Sequence, residues 1–297
     1  MVRSQHIKGP VSKHGSDLHY IPKFIKPSEK VEILSYLSGL YPIWENRFSE
    51  HNPPPAGQSQ RQLLRPVYWL GNWQFACLGY YHPPKGLLHR CVKAEPYPSV
   101  LAQVVNRIER FVRQEFSQKD IPKDWKLNTC LINFYGSRMD AGKRVDAGRV
   151  GEHKDFEPGP IGSISFGDRA LIQFVRSRGR GFTSDVTNQQ WLEDSALQVF
   201  GGERFKSQLF HRVQRVEDKC KANFQLHTTE FITRRLNLTF RFVPEEHIQP
   251  LKNLPKNLQA DVAAYVQELA QQSPYWQQEF SDTMSTTAAR GPRSPAF

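Results

Sequence analysis

Within residues 234–243 (RRLNLTFRFV), positions 235 to 242 alternate polar and apolar side chains without a break. No other stretch constrains the fold as tightly. Alternate residues of an extended strand share a face. Leu236, Leu238, Phe240 and Phe242 therefore form one face, and Arg235, Asn237, Thr239 and Arg241 the other. The apolar face belongs to a core. The polar face either meets solvent or, if covered, needs anions, because burying an unpaired guanidinium is costly. A dicarboxylate would supply an anion at each end, and arginine's planar fork suits carboxylates.

This strand closes a β-rich region. LNTCLINFY, GSISF, ALIQFV, SALQVF, SQLFHRVQRV and NFQLHTT are short runs between Gly, Asp and Asn. Seven or eight such strands predict a sandwich or barrel. Helices flank it. Ser28 can cap KVEILSYLSGLY, with Val31, Leu34, Leu37 and Leu40 at helical spacing. After Pro98, SVLAQVVNRIERFVRQEF places Val100, Leu101, Val104, Val105, Ile108, Phe111 and Val112 on one face. Residues 48–60 form a Pro/Ser/Gln loop, and RPVYWLGNWQFACLGYYHPPKG crowds aromatic rings between bends at Gly71 and Gly79.

The expected organisation is a basic flexible arm (1–18), N-terminal helices with an aromatic lid (19–125) and a β core (126–247). A helical extension (248–280) and a disordered tail (281–297) follow. The fold class is α+β with a mainly β core.

His153 and Asp155 stand two apart in VGEHKDFEPG, so on an extended chain both face the same side. His211 follows about 58 residues further on. Two His and one carboxylate on one face of an octahedron make the facial triad of non-haem Fe(II) oxygenases, whose open positions admit a bidentate cosubstrate and oxygen. Taken alone, H-x-D is a common pattern. Asn133 and Tyr135 in LINFYG add a second polar pair on one strand face, which would suit a carboxylate cradle or a half-exposed strand.

In this order, N-x-Y, H-x-D-x-E, a lone His and R-x-N-x-T-x-R resemble the AlkB family of Fe(II)/2-oxoglutarate-dependent dioxygenases. The matching residues are Asn133, Tyr135, His153, Asp155, Glu157, His211, Arg235, Asn237, Thr239 and Arg241, and the likeness covers residues 126–244 most clearly. It implies a double-stranded β-helix (jelly roll) and Fe(II) on His153, Asp155 and His211. It also implies 2-oxoglutarate and O2 as cosubstrates. By the same resemblance, Arg235 and Tyr135 hold the far carboxylate, and Arg241, Asn133 and Asn237 the near end, with Thr239 on the same face. Oxidation of an N-methyl group on a DNA or RNA base would release succinate, CO2 and formaldehyde. Trp69, Tyr80 and Tyr81 are candidates to sandwich the base, although core packing would explain each ring equally well. Glu157 is expected at the pocket edge, and Arg178 and Arg180 as phosphate or pocket contacts. One stretch departs from the family, GSRMDAGKRVDAGRVGE, which is longer than the usual loop and carries Lys143, Arg144 and Arg149.

The net charge of +11 favours a polyanionic partner, here single-stranded DNA or RNA. No run approaches a membrane span, and the first residues lack the apolar core of a secretory signal. A cytoplasmic monomer is the expectation. Cys77, Cys91, Cys130 and Cys220 are scattered, as reduced thiols would be. Cys77, His82, His89 and Cys91 cluster, but at a spacing that matches no common zinc finger. Two other readings stand beside the demethylase: the same oxygenase chemistry on a protein side chain or small metabolite, and a non-enzymatic basic jelly roll that binds nucleic acid.

Overall fold

A computed structural model describes residues 17–80, 91–177, 184–215, 224 and 231–289. Nearly all of the expected basic arm lies outside these residues, as do Tyr81, His82, His89, Arg178, Arg180 and Cys220.

The alternating segment forms a long strand, β13 (Phe231–Arg241), at the centre of the larger of two antiparallel sheets. Its neighbours are β5 (Thr129–Asp140) and β8 (Ile161–Gly167). Outside these lie β2 (Val67–Leu70) next to β5, and β11 (Leu197–Phe200) then β1 (Leu18–Ile21) beyond β8. A smaller sheet runs in the order β10 (Asp185–Leu192), β9 (Ala170–Arg176), β12 (Phe210–Arg215), β7 (Val150–His153). Ile161 and Phe200 of the larger sheet pack with Ile172, Phe174 and Leu192 of the smaller one. The two sheets thus form the expected double-stranded β-helix.

The two faces of β13 separate as the alternation predicts. Leu236, Leu238, Phe240 and Phe242 join a large core with α2 (Ser99–Glu115), whose Val100, Leu101, Val104, Val105, Ile108 and Val112 are buried. Arg235, Asn237, Thr239 and Arg241 turn to the space between the sheets and are also buried. A sheet covered on both faces can carry polar side chains inward only where they find partners.

Several expectations are corrected. The first helix, α1 (Pro27–Ser38), starts at Pro27 rather than behind a Ser28 cap. Proline suits the first helical position because its missing N–H would have no helical acceptor. The Lys26 backbone N–H donates to Glu29 Oε2 at 2.9 Å. Val31 is 71% exposed, because the buried stripe runs through Ile33, Leu37 and Leu40, at i, i+4 and i+7.

The described part of the aromatic segment, residues 65–80, is mostly built into the sheets and core, with Arg65 and Tyr80 lining the cavity between the sheets. Its first part is β2, paired with β5, and after the bend at Gly71 comes β3 (Asn72–Gln74), paired with β4 (Cys91–Lys93). Trp69, Trp73 and Phe75 lie in the core. Around them, Glu45 receives hydrogen bonds from Trp69 Nε1 (3.0 Å), Trp73 Nε1 (3.0 Å) and the Ala76 backbone N–H (2.7 Å). Burial outweighs these bonds and pushes the Glu45 carboxyl up to about 7.

The tail boundary also moves. After α3 (Lys256–Ala270), α4 (Pro274–Ala289) carries helix through residues 281–289, anchored near its start by buried Trp276, which packs edge-on to Trp73. The long stretch after Tyr135 is a hairpin. β5 continues to Asp140, turns through Ala141 and Gly142, and returns as β6 (Lys143–Asp146). Gly136 lies where this hairpin passes β13, and a Cβ there would collide with the Ile232 carbonyl. No helix among the described residues is long and apolar enough to cross a membrane.

Candidate active site

The pairing of β7 with β12 sets His153 directly opposite His211, with ring centroids 4.2 Å apart. Asp155 follows two residues after His153. One candidate ligand atom from each of the three lies within 4.8 Å of the others. His153 donates Nδ1–H to the Gly151 carbonyl (2.8 Å), which fixes the tautomer and leaves Nε2 available. Burial and the nearby His211 push the His153 imidazole down to about 4, so the ring is neutral at pH 7.

Arg241 grips Asp155 Oδ1 through Nε (3.1 Å) and Nη2 (2.9 Å), while Oδ2 sits 3.3 Å from His211 Nε2. Burial would raise the Asp155 carboxyl, but Arg241 and then His211 override it and hold it well below the usual range. One carboxylate oxygen is thus held from behind, and the other shares a space with two imidazole nitrogens. Two nitrogens and one oxygen in this arrangement suit Fe(II).

The cosubstrate candidates share one cavity of about 320 Å³ with the triad: Asn133, Tyr135, Arg235, Asn237, Thr239 and Arg241 all line it. Register explains why. Tyr135 pairs with Arg235, and Asn133 with Asn237, across β5 and β13. Arg235 donates Nη2–H to Ser165 Oγ (2.9 Å), while its buried Nε and Nη1 find no hydrogen-bond partner among the described residues. Buried donors left open in this way suit an anionic ligand. Burial lowers the Arg235 pKa, with Tyr135 opposing and Arg65 adding like charge. Asn237 is already engaged: Nδ2 reaches Ser163 Oγ (2.8 Å) and the Ile164 carbonyl (3.0 Å), and Oδ1 accepts from Thr239 (2.9 Å). Asn237 and Thr239 therefore brace the cavity wall.

The substrate candidates divide. Tyr80 lines the cavity and packs edge-on to both Trp69 (5.3 Å) and Phe156 (5.6 Å). Trp69 does not reach it: at 2% exposure, its ring is committed to the core and its N–H to Glu45. Glu157 is not at the pocket edge. It is 1% exposed and turned to Arg241, with Oε1 at 3.4 Å from Nε. Burial, and after it Asp155, raises its pKa against the pull of Arg241. Glu157, Arg241 and Lys206 thus act electrostatically on one another and on Asp155 of the triad, and burial lowers the Lys206 pKa. Tyr81, Arg178 and Arg180 lie outside the described residues.

Sequence reasoning missed Arg65, Lys206 and the serines of β8. Arg65 lines the cavity and donates Nε–H to Asn133 Oδ1 at 2.7 Å. Cys77, Cys91 and Cys130 are buried free thiols.

Residues 17–241 match the model of the 2OG-Fe(II) oxygenase superfamily. Two curated relatives from Arabidopsis thaliana are named DNA N(6)-methyladenine demethylase, ALKBH1D and ALKBH1C. The first is 31% identical over 38% of this chain and 24% of its own length. The second is 30% identical over 38% and 23%. The chain thus spans about a quarter of the length of these relatives. The solved structure of OsALKBH1 aligns with a TM-score of 0.47 at 22% identity, over 76% of this chain and 98% of that one. The paired histidines, the arginine-held aspartate and the family match lead to one conclusion: the chain belongs to the 2OG-Fe(II) oxygenase superfamily, as an AlkB-family dioxygenase.

Proposed function

We propose that this protein demethylates N-alkylated bases of single-stranded DNA or RNA. The observation that carries the reading is the charge of the cavity mouth over the triad. Arg47, Arg61, Arg149 and Lys154 contribute to the lining. Both carboxylates in that lining are already matched: Glu152 by Arg212 (2.8 Å) and Asp155 by Arg241 (2.9 Å). Cations at a rim whose acids are neutralised suit a phosphate backbone. The two curated relatives, named for N6-methyladenine in DNA, support a methylated base and make N6-methyladenine the first substrate to test.

When bound, Fe(II) with 2-oxoglutarate and O2 supplies the oxidising chemistry, yielding succinate, CO2 and, from the oxidised N-methyl group, formaldehyde. The chain's part is placement. His153, Asp155 and His211 hold the metal, with Gly151 and Arg241 fixing their orientation. Arg235 and Tyr135 hold the far carboxylate of the cosubstrate. Arg241 and Asn133 hold the near end, while Asn237 and Thr239 keep the wall rigid. Tyr80 and Phe156 offer ring surface to a base, a contact worth about 1–3 kcal/mol per stacked base.

A second reading, the same chemistry on a protein side chain or small metabolite, is favoured by the withdrawal of Trp69 and Glu157 from the cavity. Formaldehyde release separates the two. The assay would use methylated single-stranded DNA and RNA, their unmethylated counterparts, and a methylated peptide pool. Release from the methylated oligonucleotides alone supports the proposal. Release from peptides alone, or from none of the substrates while 2-oxoglutarate still binds, contradicts it.

A further inference from the structure

We propose that Gln198 is a further cosubstrate-binding residue, whose side-chain amide donates to the keto-acid end of 2-oxoglutarate, the end beside the metal triad. Gln198 lies on β11 and lines the cavity, yet the residue is 0% exposed. Its Nε2 and Oε1 are both buried and find no hydrogen-bond partner among the described residues. Leaving a buried amide unsatisfied costs stability. A methionine of similar size would fill the same place without that cost. An amide here therefore calls for a polar ligand in the cavity it lines.

Strand register gives the height of Gln198 in the cavity. Gln198 pairs with Ser163, and Ser163 with Thr239, so the three stand in one row across β11, β8 and β13. Thr239 is two residues from Arg241 and four from Arg235 along β13. The row thus lies closer to the triad end of the cavity than to the Arg235 end. Phe200, two residues after Gln198 and on the same face, has its ring centroid 5.2 Å from that of His211. Ser163 and Thr239 both bond to Asn237 (2.8 and 2.9 Å), and neither reaches Gln198. Phe200 on β11 and Ile172, Leu192 and Val213 of the smaller sheet add only apolar lining.

The keto-acid end of the cosubstrate carries acceptor oxygens only, so Nε2–H is the group that meets it. Arg241 and Arg235 already bring positive charge to the cavity. A neutral amide adds a hydrogen bond without adding like-charge repulsion. The terminal torsion of glutamine is broad, so the amide can turn to a ligand while the strand stays as it is.

The inference rests on the 2-oxoglutarate reading of the cavity and is independent of the methylated-base substrate. The test is Gln198→Met, which keeps the side-chain volume and removes the amide. Calorimetric titration of the Mn(II)-loaded variant should show 2-oxoglutarate weakened about 10- to 100-fold, the loss of one hydrogen bond to a charged group. The melting temperature of the ligand-free variant should hold or rise, because no buried amide is left unpaired. In the anaerobic Fe(II) complex with 2-oxoglutarate, the visible charge-transfer band from iron to the keto acid should move to shorter wavelength, since a donor to that acceptor has gone. Unchanged 2-oxoglutarate affinity would overturn the proposal. So would weaker binding with the band in place, which would put the amide against the far carboxylate. A lower melting temperature would overturn it too, because the amide would then be satisfied within the fold. Failure of the wild-type protein to bind 2-oxoglutarate would remove the cosubstrate reading and this inference together. Absence of formaldehyde release with these results as stated would count against the substrate reading alone.

Discussion

Arg241 and Asp155 form a two-bond contact, from Nε at 3.1 Å and Nη2 at 2.9 Å to the single oxygen Oδ1. This geometry leaves Oδ2 facing His211. It also ties the end of the strand expected to bind cosubstrate to the metal triad.

Arg241→Lys should therefore weaken metal binding about 10- to 100-fold, as losing an outer partner of a ligand does. Titration with Mn(II) or Fe(II) measures this directly. Wild-type affinity in the variant would show that the arginine does not orient Asp155.

The exposed cations of the cavity mouth should act on nucleic acid through phosphate. Arg149→Glu and Arg61→Glu should each weaken oligonucleotide binding regardless of sequence. Each should also reduce the slope of log affinity against log salt by about 1 per phosphate contact. Fluorescence anisotropy at several salt concentrations gives the slope. An unchanged slope would place the nucleic acid elsewhere.

Glu45 gives a pH dependence of stability whose sign follows from burial. Its folded pKa is raised from 4.5 to about 7. Between those values the folded state holds a proton that the unfolded chain has released, so stability falls as pH rises from 4.5 to 7 and then levels off. Melting temperatures across pH 4.5–8 should show this fall in the wild type and a flatter profile in Glu45→Gln. Parallel profiles would mean that Glu45 does not carry the effect.

Gly136 should not tolerate a side chain, because its Cβ would meet the Ile232 carbonyl where β5 passes β13. Gly136→Ala should cost on the order of 1–3 kcal/mol, the range for an overpacked site. Because Tyr135 is its neighbour, 2-oxoglutarate binding should weaken as well. Chemical denaturation checks the first effect and calorimetry the second. A variant with wild-type stability would show that the strands can part there at no cost.

The parts of this structure that were legible in the sequence are those where a local pattern decides the outcome. Alternation in 235–242 assigned both faces of β13 correctly, because a period of two is a property of the strand itself. The H-x-D pair and His211 meet at the site as expected, yet their face-to-face register comes from the β7–β12 pairing, which no local pattern encodes. Trp69 and Tyr80 could not be told apart in advance. All four residues of β2 are buried, so alternation carries no signal for Trp69, and Tyr80 lies beyond the turn at Gly79, where no strand period applies. β10 escaped notice because DVTNQQWL is a polar edge strand. Arg65 belongs to no motif; the pairing of Val67 with Asn133 is what brings it to the cosubstrate candidates.

The account is tested most directly by product stoichiometry on single-stranded DNA carrying N6-methyladenine, with Fe(II), 2-oxoglutarate and O2 supplied. It predicts succinate and formaldehyde in equal amounts from the wild-type protein and neither from His211→Ala. Formaldehyde persisting in His211→Ala, or succinate formed by the wild type without formaldehyde from any methylated strand, would contradict it.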